Sequence, residues 1–137
     1  MTDDERVTVT APPVKVLIVD DQQPFRTVAR TVVGLTQGFE VIGEATSGEE
    51  AVTLAADLAP DLVLMDINLP GINGIEATRQ IVDTEPDTTI VLLSTYRAED
   101  LPGDARTCGA VGYVHKEDLG PACVRERWDH RHEPSWD

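Results

Sequence analysis

Three aspartates, a serine and a lysine carry the chemistry of this chain, because each follows a short apolar run. Val14-Lys15-Val16-Leu17-Ile18-Val19 stops at Asp20-Asp21, and Leu62-Val63-Leu64-Met65 stops at Asp66. Ile90-Val91-Leu92-Leu93 delivers Ser94, and Val111 to His115 delivers Lys116. Brought together, the carboxylates repel, at about 4 kcal/mol for a pair 4 Å apart in an effective dielectric near 20. A divalent cation held by hard oxygens compensates, and Mg²⁺ suits a site with few carboxylates and a phosphate-bearing substrate. Lys116 adds one positive charge, able to pair with Asp66 in an empty site and with an anion in a full one. In that setting Asp66 is a carboxylate nucleophile toward a phosphoryl group. Ser94 would hydrogen-bond a phosphoryl oxygen, and the rest is in-line positioning and charge neutralisation. Taken singly, an aspartate or serine after a strand is a cap or turn former and a lysine is a solvated charge. Taken together, these readings require unrelated accidents at the ends of four strands.

The elements that position these residues are legible as patterns. Short apolar runs bounded by turn residues read as strands buried on both faces, as in a parallel sheet covered by helices. Phe39 to Ala45 supplies one more strand. Phe25, Val28, Ala29 and Val32 share one face of a first helix that Gly38 stops. Ser47-Gly48-Glu49-Glu50 has the form of a capping box, opening a helix with Ala51, Leu54, Ala55 and Leu58 inward and Pro60 beyond its end. A third helix is expected from about Gly74 to Thr84, with Ile75, Ile81 and Val82 inward. Short connections between alternating strands and helices make neighbouring strands parallel, so all carboxyl ends share one edge. Ligands bind at that edge in open α/β sheets. Between Ser94 and Lys116, Pro102-Gly103 interrupts the fourth helix, which is expected to be short, late-starting or irregular. A last helix is expected with Asp118 as its cap and Leu119, Ala122, Cys123 and Trp128 on its inner side.

With 137 residues, 41% of them hydrophobic, the chain is one ordinary domain. Its formal charge of −14 argues against direct contact with nucleic acid or anionic membranes. No apolar stretch has the length of a membrane span or signal sequence, which makes the cytoplasm the expected compartment. Cys108 and Cys123 lack metal-ligand spacing and read as packing residues, and His115, His130 and His132 read as surface histidines. The expected organisation is a flexible N-terminal tail over residues 1–13, a folded domain over 14–125, and a charged tail or frayed last helix over 126–137.

The Asp20-Asp21 pair, Met65-Asp66-Ile67-Asn68-Leu69-Pro70-Gly71 with Gly74, Ser94, and Gly112-Tyr113-Val114-His115-Lys116 together resemble the receiver domain of bacterial two-component response regulators. The resemblance covers about residues 14 to 119. Glu44-Ala45-Thr46-Ser47-Gly48-Glu49-Glu50-Ala51 and the Gly112-Tyr113 strand are most similar to receivers of the NarL/LuxR type. It implies a flavodoxin-like, doubly wound (βα)5 sandwich with strand order 2-1-3-4-5. It also implies that Asp66 is the phosphoacceptor, served by a sensor histidine kinase, a phosphotransfer protein or a small phosphodonor. By the same resemblance Asp20 and Asp21 hold Mg²⁺ with Asp66 and the backbone carbonyl of Asn68, while Ser94 and Lys116 contact the phosphoryl group. Tyr113 matches the aromatic whose rotamer follows phosphorylation. Such a domain is a switch with no turnover of an external substrate. It signals to a downstream protein through the fourth helix, fifth strand and last helix, and an irregular fourth helix points to a monomer or weak dimer.

Two other readings stand beside this one. A binding or scaffolding module would keep the receiver fold without responding to phosphate. A hydrolase of the haloacid dehalogenase type would form an aspartyl phosphate on a similar sheet, but needs an acid two positions after the nucleophile, where this chain has Asn68.

Overall fold

The apolar runs form five parallel strands, β1 (Val14–Val19), β2 (Phe39–Ala45), β3 (Leu62–Asp66), β4 (Thr89–Ser94) and β5 (Gly112–His115), in the order β2-β1-β3-β4-β5. This is the expected 2-1-3-4-5 arrangement. The computed structural model describes residues 12–133 and Trp136. Most of the expected N-terminal tail, residues 1–11, and residues 134, 135 and 137 of the expected C-terminal tail lie outside the described residues. Four α-helices are described: α1 (Gln23–Gly34), α2 (Gly48–Leu58), α3 (Gly74–Thr84) and α4 (Pro121–Asp129).

Every residue of β3 and β4 is buried, which is why their sequences are apolar without alternation. Successive side chains point to opposite faces. Leu17, Val19, Val63, Met65, Ile90 and Leu92 therefore enter one core with Ala51, Ala55, Ile75 and Ile81 of α2 and α3. Val16, Ile18, Leu62, Leu64, Val91 and Leu93 enter the other, with Ala29, Val32 and Val33 of α1 and Val124 of α4. The register pairs Val19 with Met65, Asp66 with Leu93, and Ser94 with His115. Asp20, Asp66, Ser94 and Lys116 thus leave neighbouring strands at nearly one level.

Local signals explain the helix ends. Ser47 Oγ accepts from Glu50 N–H at 3.1 Å, while the Glu50 carboxylate accepts from Thr46 N–H at 2.7 Å, one residue earlier than in a standard capping box. In α1 the buried stripe is Ala29, Val32 and Val33, with Phe25 half-buried beside it, and Val28 is 49% exposed at its margin. Gly74 opens α3 directly beneath the end of β3, where its N–H donates to Ile67 O at 2.8 Å. A Cβ at this position would lie 2.0 Å from Asp66 O, a backbone atom that cannot swing aside. Gly74→Ala should therefore cost about 3 kcal/mol in urea unfolding, the upper range for overpacking.

The chain between β4 and β5 contains no α-helix. Two 3₁₀ turns, Ala98–Asp100 and Ala105–Thr107, flank Pro102-Gly103, whose backbone chemistry disfavours a continuous helix. Buried Ala105 and Cys108, with half-buried Leu101, cover that part of the core instead. The last helix also departs from expectation. Asp118 lies in a 3₁₀ turn, Lys116–Asp118, and α4 begins at Pro121 with Gly120 at its cap position. Proline is preorganised for a first helical turn, and this later start exposes Ala122 and turns Val124 inward. The helix continues to Asp129, across the boundary expected after residue 125, and Trp128 packs edge-on against Phe39 at 6.4 Å.

Candidate functional site

Asp20 leaves β1 with its N–H donated to Ala45 O at 3.0 Å. Its carboxylate is 1% exposed, and Oδ1 accepts from Gln22 N–H at 2.7 Å. Arg26, one turn into α1, donates to Asp20 O at 2.9 Å and pairs with Glu44 at 3.1 Å, tying the helix to the ends of β1 and β2. Asp66 ends β3 at 3% exposure, with Oδ1 accepting from Asn68 N–H at 3.3 Å. Asp21 faces solvent. Oxygens of the three carboxylates lie within 4.8 Å of one another. Lys116, just past the carboxyl end of β5, brings its Nζ 2.6 Å from Asp20 Oδ2 and 3.4 Å from Asp66 Oδ2. It pairs with Asp66 as expected, but the shorter contact is with Asp20.

Burial, and then the neighbouring Asp20 carboxylate, raise the pKa of Asp66 from 3.8 to about 6. Lys116 and the Asn68 N–H pull it down without cancelling that effect. Three carboxylates, two of them buried, against one ammonium leave a deficit of positive charge. The donors are all hard oxygens, so the residues present fit Mg²⁺ in both charge and chemistry.

Ser94 is 1% exposed and its Oγ accepts from Tyr96 N–H at 3.0 Å. The register places it one residue beyond the partner of Asp66, with Lys116 one residue beyond its own partner. Asn68 lies at the exposed rim, where its Oδ1 accepts from Tyr96 Oη at 3.5 Å. Tyr113 is not in the carboxylate cluster. It lies inward at 6% exposure, and its hydroxyl bonds Ser94 O at 3.1 Å and also Tyr96 O, so it reaches the site through the Ser94–Tyr96 backbone. Tyr113→Phe should cost about 1 kcal/mol in urea unfolding, the ordinary net value of such a bond. His115 ties the loops, with Nε2 3.0 Å from Thr95 O and Nδ1 accepting from Glu117 N–H. Among the described residues, the histidines do not join the acidic cluster.

Two residues near the site escaped the sequence reading. Arg26 sits where any helical surface charge could sit, and nothing in its spacing marks the bond to Asp20 O. Phe25 read as the first residue of an apolar stripe, and so it is, but its ring also lies 4.5 Å from Lys116 Nζ. Its position in the first turn after the aspartate pair is the signal that was available.

The geometry agrees with comparisons to known proteins. The family model described as the response regulator receiver domain matches residues 16–121. The response regulator GacA of Pseudomonas aeruginosa is 39% identical over 103 residues, covering 75% of this chain and 48% of that protein. The chain therefore spans about half the length of the curated relatives it matches. A two-component response regulator of the LuxR family from an Aurantimonas species superposes with a TM-score of 0.77 at 32% identity, covering 85% of this chain and 83% of that one. The receiver domain of a response regulator named NarL from Mycobacterium tuberculosis superposes at 0.79 with 27% identity, covering 90% of this chain and 99% of that one. With this fold, this match and a buried aspartate at the sheet edge, the chain belongs to the response regulator receiver domain family.

Proposed function

We propose that Asp66 accepts a phosphoryl group and that the domain is a phosphorylation-dependent switch of a two-component phosphorelay. The observation that carries this reading is the buried Asp66 carboxylate set between Asp20, Asp21 and Lys116. An Asp66 oxygen bonds to phosphorus while the bond from phosphorus to the donor breaks, and the leaving group departs with that electron pair. The donor is a sensor histidine kinase, a phosphotransfer protein or a small acyl phosphate. Mg²⁺, held by Asp20, Asp21, Asp66 and the backbone carbonyl of Asn68, neutralises oxygen charge when bound. Lys116 and Ser94 hold the phosphoryl oxygens. Shifting an equilibrium from 1:99 to 99:1 takes about 5.5 kcal/mol, within reach of two or three charge-assisted hydrogen bonds at about 1.5–3 kcal/mol each. Tyr113 is poised to follow such a shift, because its hydroxyl bonds the backbone on either side of Thr95.

The domain turns over no external substrate in this reading, and its output is contact with another protein. The face offered for that contact has two 3₁₀ turns where a helix was expected, which favours a monomer or weak dimer. A net charge of −14 disfavours nucleic acid as the partner of this domain. No helix among the described residues is long and apolar enough to cross a membrane.

Beryllofluoride, which mimics a phosphoryl group on a carboxylate, tests the reading. Titration should show saturable binding to wild type that requires Mg²⁺ and is lost in Asp66→Asn. Binding that ignores the metal, or that persists in the variant, would refute the assignment.

A further inference from the structure

Among the described residues, two carboxylates and one aromatic ring engage the ammonium of Lys116. The carboxylates are those of Asp20 and Asp66, at 2.6 and 3.4 Å. The ring is that of Phe25, whose face lies 4.5 Å from Nζ to the centroid. The carboxylates are also the groups that a metal ion and a phosphoryl group would engage, so their hold on Lys116 weakens when the site fills. The ring competes for neither.

We propose that Phe25 is a positioning residue whose aromatic face keeps the Lys116 ammonium at the site when Asp20 and Asp66 turn to other partners. The role rests on the phosphoacceptor reading of Asp66. The local structure fixes the ring where it is needed. Phe25 stands in the first turn of α1, packs against the core shared by α1 and α4, and precedes Arg26, which clamps that turn to Asp20 O and Glu44. Lys116 follows the carboxyl end of the edge strand β5, and its side chain is only 15% exposed. A cation is drawn to the negative face of an aromatic ring, more strongly as water is excluded. Leucine offers comparable apolar packing and no such face.

The test uses the intact chain in two measurements. In the metal-free protein, the ε-methylene protons of Lys116 should show an upfield ring-current shift in NMR spectra, lost in Phe25→Leu and retained in Phe25→Tyr. With Mg²⁺ present, Phe25→Leu should weaken beryllofluoride binding by about three- to thirtyfold, the range expected for a lost cation–π contact. Phe25→Tyr should bind close to wild type. In a Lys116→Met background, at the higher beryllofluoride concentration that variant requires, Phe25→Leu should add no further loss. Absence of the ring-current shift would overturn the proposal. So would an equal loss with and without Lys116, because that marks a packing effect. If wild type binds no beryllofluoride while the ring-current shift is present, the phosphoacceptor reading fails and this role fails with it. If wild type binds and the two positions are uncoupled, only the role of Phe25 is lost.

Discussion

Metal-free Asp66→Asn should be more stable than wild type at pH 7 by about 3 kcal/mol in urea unfolding. The side chain is 3% exposed and its pKa is raised from 3.8 to about 6, first by burial and then by Asp20. The folded protein therefore binds a proton at Asp66 more tightly than the unfolded chain does. Stability from this group is fully present below pH 4 and is lost as pH rises through about 6. A shift of this size corresponds to about 3 kcal/mol. Asparagine removes the charge and keeps an oxygen for the Asn68 N–H. The stability difference between variant and wild type should be small near pH 4 and reach its full value by pH 7. Adding Mg²⁺ should narrow it, since the cation stabilises only the carboxylate. A variant less stable than wild type at pH 7 without metal would contradict the electrostatic account of the site.

Lys116→Met should have the opposite sign. It leaves Asp20 and Asp66, at 1% and 3% exposure, without their nearest cation. Removing one partner of a buried ion pair costs about 3–5 kcal/mol, and the partial exposure of Lys116 points to the lower end, about 3 kcal/mol. The loss should shrink as pH falls through about 6, where Asp66 takes up a proton and no longer needs the ammonium. Mg²⁺ should restore part of the stability, and it should bind more tightly than to wild type because the ammonium no longer competes for Asp20. Unchanged stability in metal-free solution would mean that Lys116 is solvated and has no hold on the cluster.

These effects follow from a sheet edge that the sequence makes legible for a physical reason. A strand buried on both faces must be apolar throughout, so a carboxylate directly after it marks the strand's end and its exit toward the edge. That logic located Asp20, Asp66, Ser94 and Lys116 together, and the register of β1, β3, β4 and β5 bears out their common level. It was weaker wherever several residues compete for one structural role. Val28 and Val33 are equally apolar, and only packing decides that Val33 turns inward. Asp118 and Pro121 both signal a helix start, and the proline prevails, carrying Val124 inward with it. Pro102-Gly103 announced an irregular fourth helix, and two 3₁₀ turns stand there. The Phe25–Lys116 contact joins residues 91 positions apart and depends on the approach of α1 to the end of β5, which no local pattern encodes.

In the proposed function Asp66 alone receives the phosphoryl group. Treating wild type and Asp66→Asn with acetyl phosphate and Mg²⁺, then trapping the acyl phosphate with borohydride and mapping it by mass spectrometry, tests that claim at the residue itself. The expected result is one modified position, Asp66, in wild type and none in the variant or in wild type treated with chelator. Modification at Asp20 or Asp21, equal labelling of the variant, or no labelling of wild type would contradict it.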